Sequence, residues 1–544
     1  MARRLWPEAP FTRTEPRPGA GEPLHRRFHI AAALAGVLLC AVPSHAAVRL
    51  PTGFVNDILL TGLAEPNSMA FLPDGRLLFT EQRTGAVRLF VNGHIAASDP
   101  VLVVPDLTSL DYERGLQGVA VDPGWPTRPY LYLYYTRVGG FCRLVRYRAS
   151  GDLAGPAGES LSLGDSLLVL DDIPDQNPLH NSGCLRFGPG NYLYVSLGDD
   201  NLICAAADST SLRGALLRLD VSRLPDGAGG QVPRALITPA TNPLSVADTN
   251  ARLVWAYGMR NPWRYGIDAV TGAIYAADVG SDSYDELNEI LPGDFLGWPF
   301  REGPKVETLC PERGGTGTND FKGPIVAIPH PAAQQAVNTA GMYRPVPGGA
   351  NNWPQNYGAY YGDVFYGEYY SGYMRRLKRL SGVWGTPPPA PGQPNETDWA
   401  TGLTSAVDFR VGPDGSLWWI SQFDSTWQAS TGMLQRIRWT GITLAVDGGR
   451  ASPRAALGIT PNPFREATRV TLDMPALESV TLALYDVAGR RVRQLFRGAA
   501  AAGETALEWD GRDDLGRPAG PGLYFARLEG AREGSSTATV LRLR

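Results

Sequence analysis

The chain contains the stretch Met69-Ala-Phe-Leu-Pro-Asp-Gly-Arg-Leu-Leu-Phe-Thr80, in which an apolar strand pattern, a Pro-Asp-Gly turn and a second strand pattern follow one another. The proline presets φ at the first turn position, and the glycine tolerates the positive φ that such a tight turn requires. Related units begin at Gly118, Leu185, Tyr265 and Val407, with a degenerate copy at 360–380. These repeats predict a six-bladed β-propeller, because a single four-stranded blade cannot bury both of its faces.

Composition supports an all-β fold with more than one domain. The 544 residues include 63 glycines and 45 prolines, and turn residues at short intervals separate runs of Val, Leu, Tyr and Trp. This length exceeds one ordinary domain. We predict a propeller at 47–440, a linker at 441–458 and a small C-terminal β-sandwich at 459–544. The net charge of −4, with both signs interspersed, argues against a nucleic-acid partner.

The N-terminal 46 residues have the pattern of a leader and signal peptide. Arg26 and Arg27 precede an apolar run from Ile30 to Val42, and small residues lie just before Ala47. The run is shorter than the roughly 20 residues that a membrane-spanning helix needs. The sequence therefore predicts an exported protein, located in the periplasm, at the cell surface or outside the cell.

Four cysteines remain after the predicted cleavage: Cys142, Cys184, Cys204 and Cys310. An even number in an exported chain permits two disulfides in any of three pairings. Cys184 and Cys204 flank one predicted hairpin, which favours that pair. The chain has no Cys-x-x-Cys-His haem-attachment motif, so a redox enzyme of this sequence would need a separate electron acceptor.

Alternating strand patterns in about 85 residues predict the C-terminal sandwich. Three segments carry a resemblance: Tyr485-Asp-Val-Ala-Gly-Arg490, Trp509-Asp-Gly-Arg-Asp513 and Gly522-Leu-Tyr-Phe525. They are similar to the immunoglobulin-type C-terminal modules of the flagellar-hook-scaffold and type IX sorting kind. The resemblance implies sorting, surface display or adhesion through cell-surface or secretion machinery, and a plain structural appendage is the alternative.

Three motifs in the propeller resemble those of the glucose/sorbosone dehydrogenase family, the β-propellers that include soluble quinoprotein sugar dehydrogenases. They are His180-Asn-Ser-Gly183, Arg260-Asn-Pro-Trp-Arg264 and Asp278-Val-Gly-Ser-Asp-Ser-Tyr-Asp-Glu286. The resemblance covers about residues 50–440. It implies a sugar substrate, pyrroloquinoline quinone (PQQ) as cofactor and bound Ca²⁺.

The family pattern assigns roles to individual residues. His180 matches the catalytic base, since a neutral imidazole can take a proton from a hydroxyl group. Asp199 matches the residue that orients this base, and a turn-capping aspartate is the alternative. Arg260 and Asn261 match the pair that contacts the quinone and the substrate oxygen. Arg260 would stabilise developing negative charge, or it would simply bridge two blades through a carboxylate.

The same resemblance implies two calcium sites. The carbonyl groups of Gly280 and Ser281 match those that hold the cofactor's Ca²⁺. The carboxylate of Glu286 and the carbonyl of Leu296 match a structural Ca²⁺ site. Oxygen ligands of both kinds suit calcium.

The chain departs from the quinoprotein pattern where the cofactor carboxylates would bind. Glu113 stands at a cofactor-binding position that carries Gln in quinoproteins, and its charge would repel an anionic cofactor. Basic residues are also missing near Ser405 and Tyr370. Other cations that would substitute for them are Arg264, Arg344 and His330.

These departures resemble the hedgehog-interacting-protein-like branch of the family, whose members are not all enzymes. The sequence therefore leaves three functions open. The first is a calcium-dependent quinoprotein that oxidises an aldose or a related sugar alcohol. The second is a non-catalytic propeller that binds a glycan or a protein at the same rim. The third is a calcium-dependent lactonase.

Overall fold

The structure is a computed structural model that describes residues 47–109, 111–311, 321–331, 334–354, 360–441, 456–474, 478–487, 489–501, 503–530 and 534–543. The predicted leader at 1–46 and most of the predicted linker lie outside the described residues. The chain divides into two compact units between Ile442 and Thr443. In the described part, no helix has both the length and the apolar character needed to cross a membrane.

Twenty-seven strands are described in the first unit. In chain order they are β1 Phe54–Leu63, β2 Pro66–Phe71, β3 Leu77–Glu81, β4 Ala86–Val91, β5 His94–Ile95, β6 Leu102–Val103, β7 Leu116–Val121, β8 Tyr130–Arg137, β9 Phe141–Gly151, β10 Leu161–Pro174, β11 Leu185–Phe187, β12 Leu193–Leu197, β13 Ala215–Leu219, β14 Val254–Tyr257, β15 Pro262–Ile267, β16 Ile274–Asp278, β17 Tyr284–Ile290, β18 Arg301–Glu302, β19 Lys305–Val306, β20 Val326–Pro329, β21 Val337–Met342, β22 Val364–Glu368, β23 Met374–Leu380, β24 Val383–Gly385, β25 Ala406–Val411, β26 Leu417–Ser421 and β27 Gly432–Trp439. The described helical segments are one-turn elements: α1 Arg234–Ile237 and the 3₁₀ turns Pro189–Asn191, Ile203–Ala207 and Ala251–Leu253.

Most of these strands belong to six antiparallel sheets, which follow one another along the chain. The sheets are β2–β6, β7–β10, β11–β14, β15–β17 with β20, β21–β24, and β25–β27 with β1; β18 and β19 form a separate hairpin. The first strand of a sheet contacts its counterpart in the next sheet at β2–β7, β7–β11, β15–β21 and β21–β25. Contacts of β12 with β15 and of β25 with β2 complete the circuit. The six sheets therefore surround a common axis, with the first strand of each sheet nearest to it.

The predicted turns join the first and second strands of their sheets. Gly75, between β2 and β3, has φ +96°, and its amide donates to the carbonyl of Leu72 at 3.0 Å. Gly415 has φ +83° at the equivalent place between β25 and β26. The repeat that the sequence shows is thus the connection between the two strands nearest the axis.

The ring closes by pairing strands from opposite ends of the unit. β1 runs antiparallel to β27, with Phe54 opposite Trp439 and Leu63 opposite Gly432. Phe54 is buried, and its ring lies 4.9–5.4 Å from four aromatic rings at edge-to-face angles. These rings belong to Trp353, Tyr360, Trp399 and Trp439.

The disulfide in the structure joins Cys204 to Cys310, whereas Cys142 and Cys184 are free and buried. The predicted Cys184–Cys204 pair is wrong. Cys184 lies just before β11 with its side chain in the apolar core, while Cys204 lies on an exposed 3₁₀ turn beyond the end of β12. A pattern of strands along the chain does not reveal that the partner of Cys204 comes from a loop 106 residues away.

The second unit consists of two antiparallel sheets. Its strands are β28 Ala456–Thr460, β29 Thr468–Met474, β30 Glu478–Asp486, β31 Arg491–Ala500, β32 Gly503–Trp509, β33 Gly522–Gly530 and β34 Gly534–Arg542. One sheet has the order β28-β29-β32 and the other β31-β30-β33-β34. Buried side chains from both sheets form one core, which includes Val470, Leu482, Trp509 and Val540.

We expect Phe54→Ala to destabilise the first unit by about 3–5 kcal/mol, because truncation of a buried aromatic side chain leaves a cavity. Val55 on the same strand is 39% exposed, so Val55→Ala serves as the matched control. Its effect should stay within about 0.5 kcal/mol. The measurement is urea unfolding followed by tryptophan fluorescence. Equal losses for the two variants would show that β1 does not close the ring.

We expect the double substitution Cys204→Ser and Cys310→Ser to lower stability by about 4–5 kcal/mol, because the crosslink restricts a loop of roughly 100 residues in the unfolded chain. Reductant should bring the wild-type protein to the level of the variant and leave the variant unchanged. Thermal unfolding with and without dithiothreitol measures both effects. Peptide mapping that found Cys184 in a disulfide would contradict the pairing.

Candidate functional site

The predicted site residues gather at one edge of the ring. The start of a first strand and the end of the antiparallel second strand lie at the same edge of each sheet. Glu113, His180 and Asn261 precede first strands, whereas Asp199 and Gly280 follow second strands. We call this edge the rim.

A buried hydrogen-bond chain runs through His180 at the rim. His180 is 3% exposed, and its Nδ1 lies 2.6 Å from Oδ1 of Asp199. The other carboxylate oxygen of Asp199 accepts from the indole Nε1 of Trp298 at 2.9 Å. Since an ionised carboxylate can only accept, His180 donates from Nδ1 and leaves Nε2 as the proton acceptor. Nε2 makes no hydrogen bond within the described residues, so it is the atom available to a ligand.

Asp199 is held in its ionised form. Burial alone would raise its pKa, but His180, Arg260 and the Trp298 hydrogen bond bring the pKa below its usual value. Its Oδ1 also accepts from the amide of Asn201 at 2.8 Å. Asp199 therefore accepts hydrogen bonds from its own turn and from His180 at the same time.

Gly198 allows this close approach. A Cβ at this position would lie 2.0 Å from the carbonyl oxygen of His180. No side chain fits there, because real carbon–oxygen contacts are far longer. The glycine before Asp199 thus lets the end of β12 approach the loop that carries the imidazole.

Arg260 presents a cation beside this chain. Its side chain is half-buried, its Nη1 donates to the carbonyl of Val279 at 3.1 Å, and its guanidinium lies 5.8 Å from the Trp298 ring. Within the described residues it pairs with no carboxylate through its side chain, so the predicted alternative of a bridge between blades is not what the structure shows. Its backbone amide, however, donates to Asp278 at 3.0 Å.

Glu113 faces the amide of Asn261. The Nδ2 of Asn261 lies 3.1 and 3.2 Å from the two carboxylate oxygens, and the backbone amide of Asn181 donates to Glu113 at 3.1 Å. The Oδ1 of Asn261 accepts from the hydroxyl of Ser182 at 2.8 Å. The amide of Asn261 is therefore fixed in orientation, and the charge of Glu113 lies at the rim with two hydrogen-bond donors.

The loop 280–284 turns its amides inward. One carboxylate oxygen of Glu302 accepts from four consecutive backbone amides, at 2.6 Å from Ser281, 3.0 Å from the next two and 3.3 Å from Tyr284. Burial would raise the pKa of Glu302, but these four donors lower it below its usual value. A Cβ on Gly280 would lie 1.8 Å from the carbonyl oxygen of Tyr284. The carbonyl oxygens of Gly280 and Ser281 accept no hydrogen bond from any described residue.

Two buried carboxyl groups lie opposite each other on β16 and β17. Asp278 and Glu286 are register partners, 5% and 7% exposed. Burial raises the pKa of both, and the charge of Glu286 raises that of Asp278 further. Glu286 accepts from the amide of Gly303 at 2.7 Å and from the Nδ2 of Asn288 at 3.0 Å. The buried Oδ1 of Asn288 has no hydrogen-bond partner.

The carbonyl oxygen of the buried Leu296 likewise accepts no hydrogen bond from the described residues. In that same part of the chain, no group of three or more His, Cys, Asp or Glu side chains is arranged to hold a metal ion. A cation at either predicted position would therefore depend on backbone carbonyls together with at most two carboxylates.

The rim lacks cations where the sequence predicts their loss. Ser405 is buried and donates its hydroxyl to the carbonyl of Phe423 at 2.5 Å. Tyr370 stacks on Trp427 with ring centroids 5.7 Å apart. Burial, followed by the charges of Glu368 and Glu113, raises the pKa of Tyr370 to about 12, so its phenol stays neutral.

The three cations expected as substitutes are all engaged. Arg344 forms an ion pair with Asp268 at 2.7 Å, and His330 forms one with the buried Asp285 at 2.8 Å. Arg264 is fully buried near the axis. None of them replaces the missing rim charges.

Sequence reasoning missed three contributors: Trp298, Glu302 and Ser182. Trp298 lies in Gly297-Trp-Pro299, outside the three motifs, and its spacing from Asp199 along the chain carries no signal. Glu302 acts through one carboxylate oxygen on backbone amides, which leaves no side-chain pattern. Ser182 was visible inside the His-Asn-Ser-Gly motif.

Comparison with known proteins supplies a family. The family profile described as Glucose / Sorbosone dehydrogenase matches residues 63–380, and the FlgD Ig-like domain profile matches residues 462–534. The aldose sugar dehydrogenase YliI of Escherichia coli is 29% identical over 251 residues, 45% of this chain and 61% of that protein. The HIPL2 protein of Arabidopsis thaliana is 28% identical over 234 residues, 40% of this chain and 33% of that protein. The alignments therefore span between a third and three fifths of these relatives.

Solved structures show the same fold. The apo soluble aldose sugar dehydrogenase of E. coli superposes with a TM-score of 0.55 at 22% identity, covering 71% of this chain and 99% of that one. The PQQ-bound aldose sugar dehydrogenase of Streptomyces coelicolor gives a TM-score of 0.50 at 22% identity, covering 72% and 99%. At this identity the likeness establishes the fold alone. Since the family profile spans more than half of its residues, the chain belongs to the glucose/sorbosone dehydrogenase family.

Proposed function

We propose that this protein is an exported, calcium-dependent quinoprotein that oxidises an aldose or a related sugar alcohol with PQQ. The observation that carries the proposal is the buried Trp298–Asp199–His180 chain, which leaves the Nε2 of His180 without a hydrogen bond in the described residues, while the guanidinium of Arg260 lies 5.8 Å from the Trp298 ring. Family membership supports the reaction class. In the same proposal, the six sheets are the blades of a six-bladed propeller, and the second unit is an immunoglobulin-type β-sandwich.

The chemistry of the rim follows from its hydrogen bonds. The Nε2 of His180 takes the proton of the sugar hydroxyl, and Asp199 stabilises the imidazolium that forms. PQQ, when bound, would accept the hydride from the sugar carbon that carries this hydroxyl. Arg260 offsets negative charge that develops next to it, in a site where buried partners strengthen electrostatic interactions. Asn261, whose amide is fixed by Glu113 and Ser182, helps to place the reacting groups.

Some of the rim residues fit the quinone and its cation, and others do not. Arg260 and Asn261 would contact the quinone. The carbonyl groups of Gly280 and Ser281, which accept no hydrogen bond from the described residues, would offer oxygen ligands to Ca²⁺. The charge of Glu113 and the neutral side chains of Ser405 and Tyr370 lie where cofactor carboxylates would need cations. Two or three missing charge-assisted contacts of about 1.5–3 kcal/mol each would weaken cofactor binding by orders of magnitude.

A second Ca²⁺ fits the Asp278–Glu286 pair. Two adjacent carboxylates, the free carbonyl oxygen of Leu296 and the unpartnered Oδ1 of Asn288 are all hard oxygen donors. A divalent cation would neutralise two buried charges that otherwise face each other.

A glycan- or protein-binding propeller without catalysis is the second candidate. The specific observation in its favour is the acidic and aromatic character of the rim around Glu113 and Tyr370, which disfavours an anionic cofactor. Under either function, the FlgD Ig-like unit would attach the protein to cell-surface or secretion machinery. If the protein is catalytic, it would pass electrons to a separate acceptor.

We expect His180→Ala to lower the rate of sugar oxidation by about 10²–10⁴-fold, the usual contribution of a general base. The assay uses the Ca²⁺- and PQQ-loaded protein with an artificial acceptor and a panel of aldoses. His94 has a side chain 54% exposed, so His94→Ala is the matched control and should keep full activity. Calorimetry should show PQQ binding to His180→Ala and much weaker binding to Arg260→Ala.

Three results would redirect this assignment. Undiminished turnover by His180→Ala would exclude it as the base. Sugar binding without detectable PQQ binding would favour the binding propeller. Calcium-dependent ester cleavage without quinone would favour the lactonase.

We expect Ca²⁺ to raise the melting temperature of the mature protein, and Glu286→Gln to lose most of this rise. Binding at 100 times the dissociation constant stabilises by about 2.7 kcal/mol. Because the pKa of both carboxyl groups is raised and Ca²⁺ needs them ionised, the rise should shrink as the solution is acidified. Glu289→Gln on the same strand is the control. A wild-type response from Glu286→Gln would place the cation elsewhere.

A further inference from the structure

A second cluster of charges lies on the axis of the ring, separate from the rim chemistry. Three arginines surround Asp408: Arg186 approaches Oδ1 to 2.6 Å, Arg264 lies 4.0 Å from the same oxygen, and Arg410 lies 3.8 Å from Oδ2. These four side chains come from β11, β15 and β25, the first strands of three sheets.

The cluster has an excess of positive charge. Arginine stays protonated in proteins, so three guanidinium cations face one carboxylate. Burial would raise the pKa of Asp408, but the three arginines lower it, so the carboxylate is ionised and the sum is two positive charges. Arg264 and Asp408 are both fully buried. Buried charge without a partner is strongly unfavourable.

The missing partner is an acceptor. The Nε of Arg264 and the Nε2 of the buried Gln117 have no hydrogen-bond partner. Arg410 donates only its Nε, to the carbonyl of Met69 at 2.9 Å, and its terminal nitrogens donate to nothing in the described part of the chain. Every unsatisfied atom among these three side chains is therefore a donor.

The unsatisfied donors of Gln117 and Arg264 belong to one network. The Oδ1 of Asn67 accepts from Arg264 at 2.8 Å, and the Nδ2 of Asn67 donates to the Oε1 of Gln117 at 2.6 Å. Asn67 thus links Gln117 to the guanidinium of Arg264. Arg264 lies on β15, three residues after Asn261 at the rim, so the cluster lies about 10 Å below the rim.

We propose that this cluster binds a small monovalent anion of halide size. The donor set would consist of Arg264, Arg410 and Gln117, and the anion would offset one of the two excess charges. A small anion suits this donor set, because Arg264 and Gln117 are fully buried. The side chain of Arg410, which is 19% exposed, gives the cluster its access to solvent. The anion would connect the sheets of β7, β15 and β25, and it does not depend on the proposed quinone chemistry.

Thermal unfolding of the mature protein tests the proposal at constant ionic strength, with sodium chloride replacing sodium gluconate, whose anion is too bulky to enter. We expect a saturable rise in the melting temperature with chloride and the same with bromide. Arg410→Gln should shift the half-saturating chloride concentration at least tenfold upwards, and Arg410→Lys should restore part of the affinity. Arg379→Gln, at a side chain 55% exposed, is the control and should respond as the wild type does.

Crystals of the wild-type protein soaked in bromide give a second measurement that needs no variant. An anomalous peak within hydrogen-bond distance of Arg264 or Arg410 is the expected result. Coinciding chloride and gluconate curves, an unchanged half-saturation in Arg410→Gln, or bromide absent from the axis would each overturn the proposal. A response to sulfate but not to halides would overturn the assignment of a monovalent anion.

Discussion

The pairing of β1 with β27 is the constraint on which the first unit depends. It joins the two ends of the unit in one sheet, so six sheets that follow one another along the chain become a ring with no open seam. Each sheet has two faces, and only a closed circuit gives every face a neighbour. The cluster of aromatic rings around Phe54 fills the space at this closure, where side chains from distant parts of the chain must meet.

Closure also explains where the candidate site lies. In a ring of antiparallel sheets, the loops that precede first strands and follow second strands converge on one edge. His180, Asp199, Arg260 and Asn261 come from neighbouring sheets, and the strands place them rather than contacts within a single loop. The buried axis below them holds a different balance of charge. Among the described residues, the rim combines the guanidinium of Arg260, which pairs with no carboxylate, with several carboxylates, whereas the cluster on the axis has more cations than carboxylates.

Much of this could be predicted from the sequence, because the features involved are local. The Pro-Asp-Gly turns indicate the connection between first and second strands, and His180 lies in a recognisable motif. The hydrogen bond between Asp199 and Trp298 could not be predicted, since it joins loops 99 residues apart. The same holds for the Cys204–Cys310 crosslink. A hairpin pattern favours Cys184 as the partner of Cys204, but the side chain of Cys184 lies in the core. That direction depends on packing between strands, which the sequence of a single strand does not encode.

The crosslink between Cys204 and Cys310 encloses Arg260, Asn261, Gly280 and Glu286, while His180 and Asp199 lie outside the enclosed stretch. The chain between the two cysteines includes the exposed loop around Asp226. A protease that cuts this loop would leave two polypeptides joined by the disulfide, and each would carry part of the rim. Such a nicked molecule would migrate as one species until reduced. The two halves of the site can therefore stay together after the backbone between them is cut.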